Sequence, residues 1–179
     1  MQEQMLKITI VVGNPKANSR TLQVAQKLVA KLIDPIEADI ETIDLANHQA
    51  SLFAWPSDEM ATLSRRVTES DLIIVASPTY KASYTGLLKA FLDRYPANAL
   101  QGIIAIPLMT GADAAHSMGG DSHLAPLLTE LGAVILGRSI YFITSQMGQS
   151  DDIIGTKANE LRQRLRALES IVNQIAPCR

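Results

Sequence analysis

Strand-like and helix-like patterns alternate five times along this chain, and no other feature narrows the possible folds so far. Residues 6–12, Leu-Lys-Ile-Thr-Ile-Val-Val, are mostly apolar and β-branched and stop at Gly13-Asn14-Pro15, which predicts a strand buried on both faces. Behind Ser19 and Thr21, either of which could cap it, Leu22, Ala25, Leu28, Val29 and Leu32 recur at helical spacing until Asp34-Pro35. Residues 36–43 alternate more weakly and suit a second strand nearer the sheet edge, and residues 44–57 read as loop. A polar helix over 58–69 turns Met60, Leu63 and Val67 inward and feeds a buried strand over 72–76. Ser77-Pro78-Thr79-Tyr80 breaks the chain before a helix over about 85–95. The strand over 103–109 contains Pro107, which argues for a bulge or a strand end there. After Thr110-Gly111-Ala112 come a helix closing at Gly132, a last strand over 134–142 and an amphipathic helix over about 153–175.

This order is the signature of the α/β class: a five-stranded parallel sheet with helices on both faces. Such sheets bind ligands at the carboxyl ends of their strands. Right-handed crossovers bring the turns after Val12, Ala76 and Met109 to one edge, and all three are rich in Gly, Pro, Ser, Thr or Asn.

At 179 residues and 47% hydrophobic composition the chain can bury one full core, so residues 1–179 are expected to form a single domain. A net charge of −2, from 16 basic and 18 acidic side chains, provides no extended positive field for nucleic acid, and any anion must be held locally. The lone Cys178 can close no intramolecular disulfide, which fits a reducing compartment, the cytoplasm by default. The opening Met-Gln-Glu-Gln-Met has no basic stretch, and the apolar run over 8–12 is too short for a signal-peptide core or a membrane span. The mature chain is expected to start at or near Met1, with no membrane association. The sequence carries no solenoid repeat and no low-complexity tract.

In the first turn, Gly13 to Thr21, short hydroxyl and amide side chains surround backbone N–H groups that open a helix, a ready site for a phosphate dianion to which Lys16 and Arg20 add charge. The turn lacks the Gly-Lys-Ser/Thr ending of a Walker loop and the three glycines of the dinucleotide fingerprint, so ATP and conventional NAD binding lose ground. The alternative is that Asn14, Ser19 and Thr21 do no more than cap a helix. In the second turn, Ser77 to Lys81, a flat ring could lie across backbone amides and an aromatic edge, unless Tyr80 and Tyr84 are plain packing residues. The third turn, Thr110 to Asp113, adds donors at the same edge. His116 and His123 lie seven apart, with no cysteine or carboxylate cluster to complete a zinc site, so no metal is expected. The absence of a G-x-S-x-G elbow leaves covalent hydrolysis nothing to rest on. Phe53 and Trp55 read as a local hydrophobic anchor, with a subunit contact as the other use.

With Val11-Val-Gly-Asn-Pro-Lys-Ala-Asn-Ser-Arg-Thr21, Ser77-Pro-Thr-Tyr-Lys-Ala-Ser-Tyr-Thr-Gly-Leu-Leu-Lys-Ala-Phe-Leu-Asp93 and Leu108-Met-Thr-Gly111 in order, the chain resembles the NAD(P)H-dependent FMN reductases of flavodoxin-like fold. It is most similar to those that supply reduced FMN to two-component monooxygenases, including alkanesulfonate desulfonation systems, and the likeness covers roughly residues 5–136. The resemblance implies strand order 2-1-3-4-5, FMN as flavin and NADPH or NADH as hydride donor. It implies that Asn14, Lys16, Ser19, Arg20 and Thr21 hold the ribityl phosphate, with Asn14 where relatives usually have Ser and Lys16 where they often have Arg. Pro78, Thr79, Tyr80 and Lys81 would flank the ring and ribityl chain, and Thr110, Gly111 and Ala112 would complete the ring site, while Asp113 stands where a small or neutral residue is more usual. Homodimers or homotetramers, with a flavin-dependent monooxygenase as partner, are implied in the same way. Before the position of Pro126, the desulfonation-linked members carry an inserted residue that makes a π-bulge at a subunit interface. Here His123 would be that residue, or else Asp121 or Ser122 caps an ordinary helix.

Hydride transfer between two stacked rings asks the protein for positioning, so no indispensable acid or base is expected. The rivals are a quinone or azo reductase that retains its FMN, a flavodoxin-type electron carrier, for which a more acidic surface would be expected, and a flavin-free interaction domain.

Overall fold

The computed structural model describes residues 5–175. β1 (Leu6–Val12), β2 (Ala38–Asp44), β3 (Leu72–Pro78) and β4 (Ile104–Gly111) pair in parallel, and β5 (Val134–Ile135) and β6 (Ile140–Ile143) both pair with β4. The sheet order is β2-β1-β3-β4-β5, the flavodoxin-like order expected, with its switch point between β1 and β3. Alternate side chains of the strands face opposite layers. Ile8, Ile10, Val12, Ile74 and Leu108 pack under α1 (Arg20–Ile33) and, with Phe142, against the later C-terminal helix. Val11, Ile73, Val75 and Met109 face the other layer, built from α2 (Gln49–Leu52), α3 (Asp58–Thr68), α4 (Gly86–Leu92) and α5 (Ala125–Glu130). α6 (Ser150–Ile175) closes the chain. Ile154, Ala158 and Leu161 are buried, whereas every residue over 166–175 is exposed. No helix of the described residues is long and apolar enough to cross a membrane.

Three sequence expectations change. Residues 44–57 are not all loop: Asp44 accepts the Ala46 N–H and starts a 3-10 turn, Leu45–His48, that runs into α2, with Leu45 and Leu52 buried as its anchors. The last strand is broken. At Gly137, in a left-handed conformation (φ +87°), the chain turns, and the Arg164 guanidinium donates to the Leu136 carbonyl at 3.2 Å and fills the space a side chain there would need. Pro107 neither ends β4 nor bulges it. It pairs in register with Val75 and lies where β4 has no partner on its other side, between the residues paired to β5 and those paired to β6, so a residue without an N–H fits. Cys178 lies outside the described residues.

Candidate functional site

The sheet edge at the ends of β1, β3 and β4 carries a cleft of about 480 Å³, within the range of small-molecule sites. Its first wall is the start of α1. Ser19 caps the helix, its Oγ accepting the Leu22 N–H at 3.2 Å, and the Gln23 N–H goes to the Ser19 carbonyl. The amides of Ser19, Arg20 and Thr21 find no acceptor among the described residues, and with the helix dipole behind them they are donors that an anion could take. The loop is held from outside: Asp44 Oδ2 accepts the N–H of Asn18, which sits at φ +53°, at 3.0 Å, and Gln49 donates to the Pro15 carbonyl at 3.1 Å.

Buried polar bonds fasten the three loops to one another. Thr85, the cap of α4, donates its hydroxyl to the Gly13 carbonyl, and its N–H donates to Ser77 Oγ at 3.0 Å. The Thr79 N–H donates to the Thr110 carbonyl at 2.7 Å, and the Thr21 and Thr110 hydroxyls lie 2.7 Å apart. Tyr141 of β6 reaches under the third loop and donates to the Asp113 carbonyl at 2.9 Å. A Cβ at Gly111 would stand 1.8 Å from that hydroxyl, so the Tyr141 ring would have to move to admit one.

Asn14, Lys16, Ser19, Arg20, Thr21, Pro78, Thr79, Tyr80, Thr110, Gly111 and Ala112 all line the cleft. Lys81 does not: it stands on a turn at the rim. Asn18, Gln23 and Thr144 also line it. The first two belong to the opening of the same helix and were readable as such, but Thr144 follows the last strand, where no local signal marked it. The lining holds two cations, Lys16 and Arg20, and no carboxylate, imidazole or thiol. Asp113 turns its carboxylate back to the Ala115 N–H instead of facing the cleft. Thr79 Oγ1 is buried without a partner, an unspent polar group beside the cleft, and Tyr80 is 54% exposed over it. Tyr84 packs on the core.

The rim turn is a two-residue hairpin in which Tyr80 and Ser83 exchange backbone bonds of 2.9 and 3.1 Å and Lys81 and Ala82 both have positive φ, +52° and +64°. Two side-chain-bearing residues in that region store strain of about 1 kcal/mol each. The Ala82 carbonyl presses on Gly119, where a Cβ would come within 2.9 Å of it. Lys81→Asn, a residue tolerant of that conformation, is expected to raise stability by about 0.5 kcal/mol and Tm by about 2 °C in a thermal melt.

Beyond Gly119 the chain makes a π-helical turn, Gly120–Leu124, leading into α5, so His123 sits in a π-bulge and Asp121 and Ser122 do not cap an ordinary helix. The Asp121 carboxylate is spent elsewhere. It accepts the N–H and hydroxyl of Ser139 at 2.6 and 2.8 Å and pairs with Arg138 at 3.2 Å. Burial pushes this carboxyl up, but the bonds from Ser139 and Arg138 together outweigh it and hold it below its ordinary value. A carboxyl lowered by folding stabilises the protein above its unfolded-state value, and that contribution disappears as pH falls through the folded-state value. Asp121→Asn is therefore expected to cost about 1 kcal/mol at neutral pH, and the difference from wild type should shrink in melts below about pH 4.

The sequence profile of the NADPH-dependent FMN reductase family matches residues 6–148. The chain is 31% identical over 145 residues to the FMN reductase (NADPH) of Escherichia coli (strain K12), covering 79% of this chain and 75% of that one. It is 29% identical over 147 residues to the NADH-dependent FMN reductase SfnF of Pseudomonas putida, covering 79% of each. Among solved structures, the apo form of the NADH:FMN oxidoreductase EMOB superposes with a TM-score of 0.81 at 32% identity, covering 90% of both chains. A family profile spanning most of the sheet and all three loops, with a matching fold at this identity, means that the chain belongs to the NADPH-dependent FMN reductase family.

Proposed function

We propose that this chain is an NAD(P)H-dependent FMN reductase that binds FMN in the three-loop cleft, with the phosphate on the opening of α1. One observation carries the reading: the amides of Ser19, Arg20 and Thr21 converge without an acceptor among the described residues, beside Lys16 and Arg20, in a lining with no carboxylate. The rest of the cleft suits the remainder of the molecule. Pro78, Thr79 and Tyr80 offer half-apolar side chains, and the adjoining Thr110, Gly111 and Ala112 add backbone to the same lining.

When bound, FMN supplies a ring that accepts hydride from NADPH or NADH. The chain's own residues bind and orient. The lining holds no carboxylate, imidazole or thiol, its titratable side chains being Lys16, Arg20 and Tyr80, and rate comes from holding reactants in register. Delivery of reduced flavin to a partner monooxygenase, and association as a homodimer or homotetramer, belong to the same proposal. The exposed Phe53 and Trp55, with Arg94 stacked 4.1 Å over the Trp55 ring, are a surface of the type that subunits cover.

The test is a titration of purified protein with FMN, followed by NADPH and NADH oxidation with free FMN as acceptor. Saturable binding and flavin-dependent oxidation of one nicotinamide are expected. Protein that neither binds excess FMN nor oxidises either nicotinamide would sink the reading.

A further inference from the structure

The polar side chains around the phosphate loop are not all free to meet a ligand, and Asn14 is committed at both ends. The Lys16 N–H donates to Asn14 Oδ1 at 2.9 Å, which settles the orientation of the amide and turns Nδ2 toward Thr21. Nδ2 donates to Thr21 Oγ1 at 3.2 Å, and Thr21 Oγ1 lies 2.7 Å from Thr110 Oγ1. Both hydroxyls are buried, at 1% and 2% exposure. Thr21 Oγ1 already accepts from Asn14, and a hydroxyl that accepts a hydrogen bond becomes the better donor, which favours the direction from Lys16 through Asn14 and Thr21 to Thr110. Among the described residues the Thr110 hydroxyl has no other side-chain or backbone partner, and its carbonyl is fixed by the Thr79 N–H. With that direction its own proton has no acceptor among the described residues, and Thr110 lines the cleft on the third loop, beside Thr21.

We propose that Asn14 and Thr21 are positioning residues of a directed hydrogen-bond relay that presents the Thr110 hydroxyl as a donor to the flavin ring, and that their side chains take no part in holding the phosphate. The relay rests on the placement of FMN proposed above. It divides the first loop between two tasks: its amides and cations grip the phosphate, and its two uncharged side chains set the polarity of a donor on the third loop. Asn14 is then specific for an amide, since only a group that accepts from Lys16 while donating to Thr21 keeps the direction.

Two probes separate the tasks: FMN, and riboflavin, which has the same ring and ribityl chain without the phosphate. Asn14→Ala, Thr21→Val and Thr110→Val in the full chain are titrated with each by flavin fluorescence, and the absorption band of bound flavin is recorded. Each variant is expected to weaken both probes by the same factor, about threefold to tenfold, and all three should displace the band alike. Thr21→Ser, which keeps the hydroxyl, is expected to restore wild-type values. Arg20→Ala is the reference for phosphate contact, weakening FMN alone and leaving the band in place. If Asn14→Ala or Thr21→Val weakens FMN while riboflavin binding and the band stay unchanged, the relay is overturned and those side chains are phosphate ligands. Failure of the wild-type chain to bind either probe overturns the placement of FMN and the relay with it, a result distinct from a selective loss.

Discussion

With Ser19→Ala and Arg20→Ala combined, the dissociation constant for FMN is expected to rise about a hundredfold, while kcat at saturating FMN changes by less than about threefold. In the proposed placement Arg20 would supply a charge-assisted bond worth about 2 kcal/mol. Ser19 caps the helix through the Leu22 N–H, and its loss costs about 1 kcal/mol and lets the first turn fray, so the free amides lose their aim. Both effects act on the grip and not on the reacting ring, which is why affinity should fall far more than rate. Calorimetric titration together with steady-state kinetics checks this, and an unchanged dissociation constant would remove the phosphate from this loop.

Gly13→Ala should be strongly destabilising for a single added methyl group. Its Cβ would stand 2.4 Å from Leu88 Cβ and 3.1 Å from Leu88 Cα, so the backbone of α4 has to withdraw from β1. That movement pulls Thr85 from the Gly13 carbonyl and separates the first loop from the second. A loss of about 3 kcal/mol and a fall in Tm of roughly 10 °C are expected, with weaker FMN binding on top. Gly155→Ala in α6 is the control. Nothing lies within 4 Å of its added Cβ, and an alanine there should stabilise the helix by about 0.5 kcal/mol or more. Equal melting temperatures for the two variants would mean that β1 and α4 are less closely packed than described.

The features that were legible in the sequence depend on local pattern. Runs such as Leu72-Ile-Ile-Val read as buried strands, and their alternation with helices pointed to a parallel sheet and to the edge where the cleft lies, while the strand order came from the resemblance to the family. The misreadings arose where a distant partner decides. Leu45 and Leu52 anchor a stretch too short to show a period. The break in the last strand is set by Arg164, 27 positions after Gly137 by their numbers. The alternatives left open at residues 121–123, a π-turn or a capped helix, were not a misreading, and there too a partner distant in sequence takes part, since Ser139 and Arg138 occupy the Asp121 carboxylate. In the cleft, composition pointed to the right loops, but it could not tell a side chain aimed at a ligand from one committed to a neighbour, as Asn14 shows. Nor could it foresee a tight hairpin at Lys81-Ala82, because neither residue favours that conformation.

The three loop tips are lashed together by buried hydroxyl, amide and carbonyl groups, and none of them hangs as a separate flap. With FMN placed as proposed, it would come and go through the solvent side without any door having to swing. How long it stays would then be governed by the strength of the hold on its tail, a setting that evolution or an engineer could adjust at Lys16 and Arg20 without touching the frame.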